Sequence, residues 1–450
     1  MVRDGSEFEA AIGLIEARVV AEVADRSVPG VSVAIVRGLE TVWAKGFGFA
    51  DLERRVPAGA DTVYACASIT KLFTATMLMQ LRDAGLVALD DPVQQYLPDV
   101  SVPRRHAGAP EITFRHLVTH TSGLAKEAPA EYWASLNFPA AERLFELLPH
   151  AEQPFPPGVR WKYSNLAFAL LGQTLACVAG MPWEDYIAEK ILRPLGMTRS
   201  VPRLAWGSPP GLATGYDRPV AGWPPNVLPL PDLGILIPGG GLYSTASDMA
   251  RFLAEHMSAA PTILARASII EMRRANWLLP DWSQAWGMPW FMSRADGATR
   301  FDHGGSVFGF TSKVLLSPAD GLGVVVFTNG SDSTVPRHLA AAALDVLVPT
   351  ERRSAVQRQS ATAQAIEPEW EHYVGRYRWV FGDAEVVLRD SGLVLRLLDG
   401  PGEEVALRPD GEREFQMSTG PLCGERARFD LGDDGRVRSL WVGPHPYDRV

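Results

Sequence analysis

Apolar and polar positions along the chain alternate between helical and strand periods. In the first stretch, Ile12, Leu14, Ile15, Val19, Val20 and Val23 recur at helical intervals, which predicts an amphipathic helix over residues 8–23. Two runs rich in β-branched residues follow at 31–36 and 41–47, and the segment between them carries Gly38, so a hairpin is expected. From Ser68 to about residue 200 the helical period dominates, interrupted by proline-rich loops such as Pro154-Phe155-Pro156-Pro157-Gly158. Strand character returns at 311–316 and 323–328 around the turn Pro318-Ala319-Asp320-Gly321, and a last helix is expected over 335–348. Strands at both ends with helices between them predict an α+β domain. Its early and late hairpins share one antiparallel sheet flanked by helices, and the helical middle forms a lobe beside it.

A change of texture follows. Residues 351–367 are rich in Arg, Gln, Ser, Ala and Thr and poor in large apolar side chains, which reads as a linker. Beyond it, short apolar segments at 385–389, 393–397, 404–407, 428–431 and 437–442 are separated by turn signals such as Asp390-Ser391-Gly392, Pro409-Asp410-Gly411 and Asp433-Asp434-Gly435. A small all-β sheet or up-and-down barrel of about 80 residues is expected there. The chain of 450 residues is thus expected to hold a catalytic domain over 1–350, a linker over 351–367 and a β domain over 368–450.

Composition narrows the classes. The chain is 46% hydrophobic and 21% charged, with no apolar run near the ~18 residues of a membrane helix, so a water-soluble protein with no membrane partner is expected. Its first residues include Asp4, Glu7 and Glu9 where a secretory signal would be basic and then apolar, and a cytoplasmic location is expected. Cys66, Cys177 and Cys423 are scattered, which suggests reduced thiols and neither a disulfide framework nor a zinc site. A formal net charge of −9 argues against nucleic acid as a partner and leaves a small molecule or peptide.

The candidate chemistry starts at Ser68 and Lys71. Residues three apart on a helix share a face, so the hydroxyl and the amine can meet near the helix amino terminus. A serine is a poor nucleophile until a base takes its proton, and a desolvated lysine can be that base. Alone this spacing is common, but two further motifs follow in order. In Tyr163-Ser164-Asn165 the phenol can relay a proton to a leaving group, while the amide can hold a substrate oxygen and fix the lysine. In His303-Gly304-Gly305-Ser306 the glycines let a substrate lie against a strand, and the Ser306 N–H is placed to complete an oxyanion hole with that of Ser68. His303 is expected to supply a polar substrate contact.

In order and spacing these three motifs resemble those of class C beta-lactamases, D-aminopeptidases, family VIII carboxylesterases and related penicillin-binding proteins. The stretches 117–124 and 239–250 look like the same superfamily, and the resemblance covers roughly residues 10–348. It implies a beta-lactamase-like sheet with a helical lobe, an active site between them, and a covalent acyl-enzyme on the serine. Class C beta-lactamases have a lysine where His303 stands, so the resemblance implies an ester or a D-amino-acid peptide as substrate and not an antibiotic. The tail beginning Tyr373-Val374-Gly375-Arg376-Tyr377 looks like the lipocalin-like barrel of some peptidase-like members and of stand-alone penicillin-binding-protein-type thioesterases. Such an appendage can wall off a cleft.

Other candidates carry less. His116 and His120 lie four apart but lack a third ligand, so no metal is expected. Cys66 has no lysine or histidine at a matching offset and reads as a buried apolar thiol. Trp206, Trp223, Trp277, Trp282, Trp286 and Trp290 read mostly as core, with bulky acyl groups favoured if some line a cleft. The expected protein is a cofactor-free serine hydrolase. Its alternatives are an acyltransferase or peptide cyclase on the same intermediate, and a catalytically silent binding protein.

Overall fold

The computed structural model describes residues 2–204, 208–218, 225–295, 297–361, 368–379, 382–389, 392–398, 404–418, 422, 424–443 and 445–450. The chain divides into two compact units, residues 1–350 and 351–450.

The first unit is organised around a nine-stranded antiparallel sheet. In chain order its described elements include α1 (Val2–Asp25), β1 (Gly30–Arg37), β2 (Glu40–Asp51), β3 (Val56–Pro57), β4 (Tyr64–Ala65), α2 (Thr70–Asp83), α3 (Asn165–Ala179), β5 (Tyr243–Ser244), α4 (Ala246–Met257), β6 (Trp277–Leu278), β7 (Gln284–Trp286), β8 (Phe291–Ala295), β9 (Ala298–Val307), β10 (Phe310–Ser317), β11 (Leu322–Thr328) and α5 (Thr334–Ala361). The sheet runs β3-β2-β1-β11-β10-β9-β8-β7-β6, while β4 and β5 form a separate two-stranded ladder. The early and late hairpins join where β1 pairs with β11, from Val31 opposite Thr328 to Arg37 opposite Leu322.

Side chains alternate across a strand, and here both faces are covered. Val31, Val33 and Ile35 of β1 and Val324 and Val326 of β11 pack against Ala11, Ile15 and Val19 of α1 and Leu339 and Leu344 of α5. Ala34, Val36, Val325 and Phe327 face the helical lobe, whose core includes Leu72, Phe73, Phe168 and Leu171. That double burial explains why β1 and β11 read as almost continuous β-branched runs.

Two expectations change. Helix α5 does not end near residue 348 but continues to Ala361, through residues that read as linker. Residues 351–361 hold no glycine or proline and are rich in Arg, Gln and Ala, which sustain a helix without needing an apolar face. The run β6 to β9 was not anticipated. Its first strands are two or three residues long, and β9 carries Arg300, Asp302, Gly304 and Gly305, residues of weak strand preference.

The second unit is a closed antiparallel barrel of eight strands, β12 (Gly375–Trp379), β13 (Gly382–Arg389), β14 (Gly392–Leu397), β15 (Glu404–Pro409), β16 (Glu414–Met417), β17 (Arg426–Leu431), β18 (Val437–Val442) and β19 (His445–Arg449). Each strand pairs with the next, and β19 returns to β12. The interior is filled by side chains: Tyr373 stacks on Phe429 at 4.4 Å, and Phe415 meets Phe429 edge-on at 5.7 Å. This is the lipocalin-like barrel expected from the sequence, with β12, β16 and β19 added to the five strand segments read there.

Candidate active site

Ser68 sits on a short 3-10 turn, residues 67–69, that leads directly into α2. Ala67 before it is held at φ +48°, a left-handed conformation that a non-glycine residue adopts only when its surroundings impose it. The surroundings are visible. The Cys66 amide donates to Leu242 O at 2.8 Å, its carbonyl accepts from Ser312 Oγ of β10 at 3.0 Å, and Thr70 Oγ1 donates to Ala67 O at 2.6 Å. The serine turn is thus pinned between the sheet and the 238–242 segment.

Lys71, one residue into α2, is fully buried. Its Nζ donates to Gly239 O at 2.7 Å, to Asn165 Oδ1 at 2.9 Å and to Ser68 Oγ at 3.3 Å. Burial pulls the ammonium down to about 7, against a raising influence of Glu127 and with a further lowering one from Lys126. A lysine poised there exchanges its proton near neutral pH while touching the serine oxygen.

Asn165 reaches Lys71 because it opens α3. Ser164 caps that helix by accepting from Ala167 N at 2.9 Å, and Gly180 closes it in a left-handed conformation. The Asn165 amide nitrogen donates to Glu127 Oε1 at 2.7 Å, and Tyr132 OH donates to Glu127 Oε2 at 3.0 Å. Tyr163, two residues upstream, lines the same cleft as Ser68. Burial raises its phenol above the ordinary value, although the Ser68 hydroxyl favours the ionised form, so it stays protonated at neutral pH.

The third motif divides. The ladder between β8 and β9 ends at Phe291 opposite Asp302. Beyond it β9 runs past the serine turn so closely that a Cβ on Gly305 would lie 2.3 Å from Cys66 O and 2.5 Å from Ser312 Oγ. Gly304, Gly305 and Ser306 line a cleft of about 580 Å³ together with Ser68, Tyr163 and Asn165. His303 is not part of that lining. It is 1% exposed, packs edge-on against Phe291 at 5.3 Å, and Nδ1 donates to Gly304 O at 2.8 Å. Burial and the nearby Lys71 push its imidazole down to about 3. Phe291 on the neighbouring strand thus encloses the His303 ring beneath the cleft, while Gly304, Gly305 and Ser306 face the opening.

Several residues of the site were missed. Lys126 and Glu127, in the loop after the 117–124 motif, line the cleft with Trp133, Lys313 and Arg337. His120 lies beneath Tyr163, stacked at 4.3 Å, with Nδ1 accepting from Ser164 N at 3.1 Å. Its partner in sequence, His116, closes a capping box with Thr113. Among the described residues no group of three metal-ligating side chains occurs. Cys66 is buried, its thiol pushed well above the ordinary value by desolvation. Trp286 and Trp290 are core residues and Trp282 is exposed, while Trp206 and Trp223 lie outside the described residues.

Comparison with known proteins agrees with this architecture. The chain is 32% identical over 342 residues to Beta-lactamase-like protein 2 of Dictyostelium discoideum, covering 72% of this chain and 60% of that one. It is 33% identical over 231 residues to the D-alanyl-D-alanine-carboxypeptidase/endopeptidase AmpH of Escherichia coli (strain K12), covering 51% and 57%. The chain thus spans less than two thirds of the length of either relative. The octameric penicillin-binding protein homologue of Pyrococcus abyssi superposes over 97% of this chain and 99% of its own, with a TM-score of 0.65 and 27% identity. Residues 15–348, which carry the serine turn, the lysine, the tyrosine and the glycine strand, match the family model described as Beta-lactamase, and the chain belongs to that family.

Proposed function

We propose that the chain is a serine acyl hydrolase working through a covalent acyl-enzyme. Ser68 Oγ attacks the carbonyl carbon of an ester or peptide amide while its proton passes to neutral Lys71 Nζ. The negative oxygen of the resulting tetrahedral adduct is met by the N–H groups of Ser68 and Ser306. The bond to the leaving group breaks as Tyr163 delivers it a proton, and the phenol is recharged from Lys71. Water then attacks the acyl-enzyme as neutral Lys71 takes its proton, the bond between the acyl carbon and Ser68 Oγ breaks as Lys71 returns that proton to the serine oxygen, and the acid leaves. Asn165 holds Lys71 in line and offers its amide to the substrate.

The observation that carries this reading is a buried amine, held to about 7, within 3.3 Å of an accessible serine oxygen. Lys126 and Arg337 line the same cleft and suit a substrate that carries a carboxylate. The name of the carboxypeptidase/endopeptidase relative supports a short peptide as substrate. Incubation with a fluorophosphonate, followed by intact-protein mass spectrometry and peptide mapping, tests it. One adduct, on Ser68, is expected; an adduct elsewhere, or none on the folded protein, overturns the reading.

A further inference from the structure

Beside the polar cleft a second recess opens at Ser68. Its apolar walls are Trp133, Leu233, Leu236 and Val307, with Gly240 in its lining. Trp133 borders the recess and the cleft alike. It is 42% exposed, yet the ring is fixed, edge-on to Phe138 at 5.2 Å and against Phe308 at 5.8 Å. A rigid indole with a wet face beside a nucleophile offers apolar contact at little cost in side-chain freedom. Gly240 keeps the space open, since a Cβ there would already meet Leu233 Cδ1 at 3.3 Å. The two openings share Ser68, Trp133, Asn165 and Ser306 but otherwise differ: the cleft adds the charged Lys126, Glu127, Lys313 and Arg337, whereas the recess adds Leu233, Leu236 and Val307 and has no charged side chain in its lining.

Resting on the acyl-hydrolase reading, we propose that this recess receives the acyl-side group of the substrate and selects a bulky apolar one, with Trp133 as the wall that separates it from the charged end. A small acyl group leaves the Trp133 face wet, and a charged one loses hydration there with no opposite charge in the lining to offset it.

The test is the kcat/KM ratio for p-nitrophenyl phenylacetate over p-nitrophenyl acetate, each corrected for its hydroxide rate. It is measured on the full chain, on Trp133→Ala and on Gly240→Val. These esters share a leaving group and differ in the group the recess would hold. The wild-type chain is expected to prefer the phenylacetate by about tenfold or more. Trp133→Ala, which removes the wall, and Gly240→Val, which fills the space, are each expected to bring the ratio down severalfold. A wild-type ratio near one, or a preference retained in both variants, overturns the proposal. Fluorophosphonate labelling run alongside separates the two readings. Labelled Ser68 without ester selectivity removes the recess alone, whereas an unlabelled and inactive wild-type chain removes the acyl-hydrolase reading beneath it.

Discussion

Lys71 and Glu127 meet on one amide: Asn165 accepts from the lysine at 2.9 Å through Oδ1 and donates to the carboxylate at 2.7 Å through Nδ2. Two neighbouring charges, Glu127 and Lys126, act on this base in opposite senses. Desolvation lowers the lysine to about 7, Glu127 favours its ammonium form, and Lys126 disfavours it. Because the base must be neutral to accept the serine proton, kcat/KM for an uncharged ester is expected to rise with pH through about 7. Glu127→Gln keeps an acceptor for Asn165 but removes the negative charge, so the rising limb moves to lower pH. Lys126→Met removes a repelling positive charge, so the limb moves to higher pH. A pH–rate profile of the three proteins checks both signs, and shifts in the reverse directions refute the assignment of Lys71 as the base.

Removing each proton carrier should separate their roles. Lys71→Met leaves the serine without a base, and kcat/KM is expected to fall by roughly 10²–10⁴-fold. Tyr163→Phe keeps the ring stacked on His120 but loses the phenol hydroxyl that shares the cleft with Ser68. Its loss is expected to be large for an amide or a poor alkoxide leaving group and small for p-nitrophenolate, which needs no proton to depart. Equal losses on both substrates would assign the phenol to orientation of Ser68 and not to leaving-group protonation.

Gly305 is where β9 and the serine turn touch. An added methyl would meet a backbone carbonyl at 2.3 Å and the Ser312 hydroxyl at 2.5 Å, and the carbonyl cannot swing aside, because Cys66 is held by Leu242 and Ser312. Gly305→Ala is expected to push the strand off the turn, abolish fluorophosphonate labelling of Ser68 and lower the urea midpoint. Gly304, whose added Cβ would find its nearest neighbour at 3.4 Å, is the control: Gly304→Ala should fold normally.

The parts of this site that were legible in the sequence are those set by local geometry. Ser68 and Lys71 are joined by one helical turn, and Tyr163 and Asn165 flank a serine cap, so spacing alone brings each pair to one place. Glu127 and Trp133 had no such signal. The backbone of Lys126 is positioned by accepting from the amides of Asn165 and Leu166, about forty residues downstream, a contact that no local pattern encodes. The direction of the His303 ring was illegible for a related reason. Its motif placed it beside the substrate strand, but which way the ring faces depends on Phe291 of β8, a strand too short and too mixed in composition to be read. The sheet was legible where both faces are apolar, in β1 and β11, and illegible in β6 to β9.

His120 is the least expected member of the site, and its role can be tested apart from the chemistry. It is buried at φ +59°, its Nδ1 accepts from Ser164 N at 3.1 Å, and its ring supports Tyr163. With Nδ1 accepting, the proton of the neutral ring lies on Nε2, and burial with Lys71 nearby keeps the ring from becoming cationic. His120→Ala removes the acceptor and leaves the buried Ser164 N–H unpaired at a cost of about 1–3 kcal/mol, to which the lost ring adds a cavity. Asparagine tolerates positive φ and carries an oxygen near the position of Nδ1, so His120→Asn should recover the acceptor part of that loss. Neither variant restores the stack, so both should depress kcat more than they change KM by releasing Tyr163 from its position over Ser68. Urea unfolding and steady-state kinetics on the two variants separate these contributions. Stability recovered in the asparagine variant while kcat stays low is the expected pattern, and full activity in either variant would mean that Tyr163 is positioned without the ring beneath it.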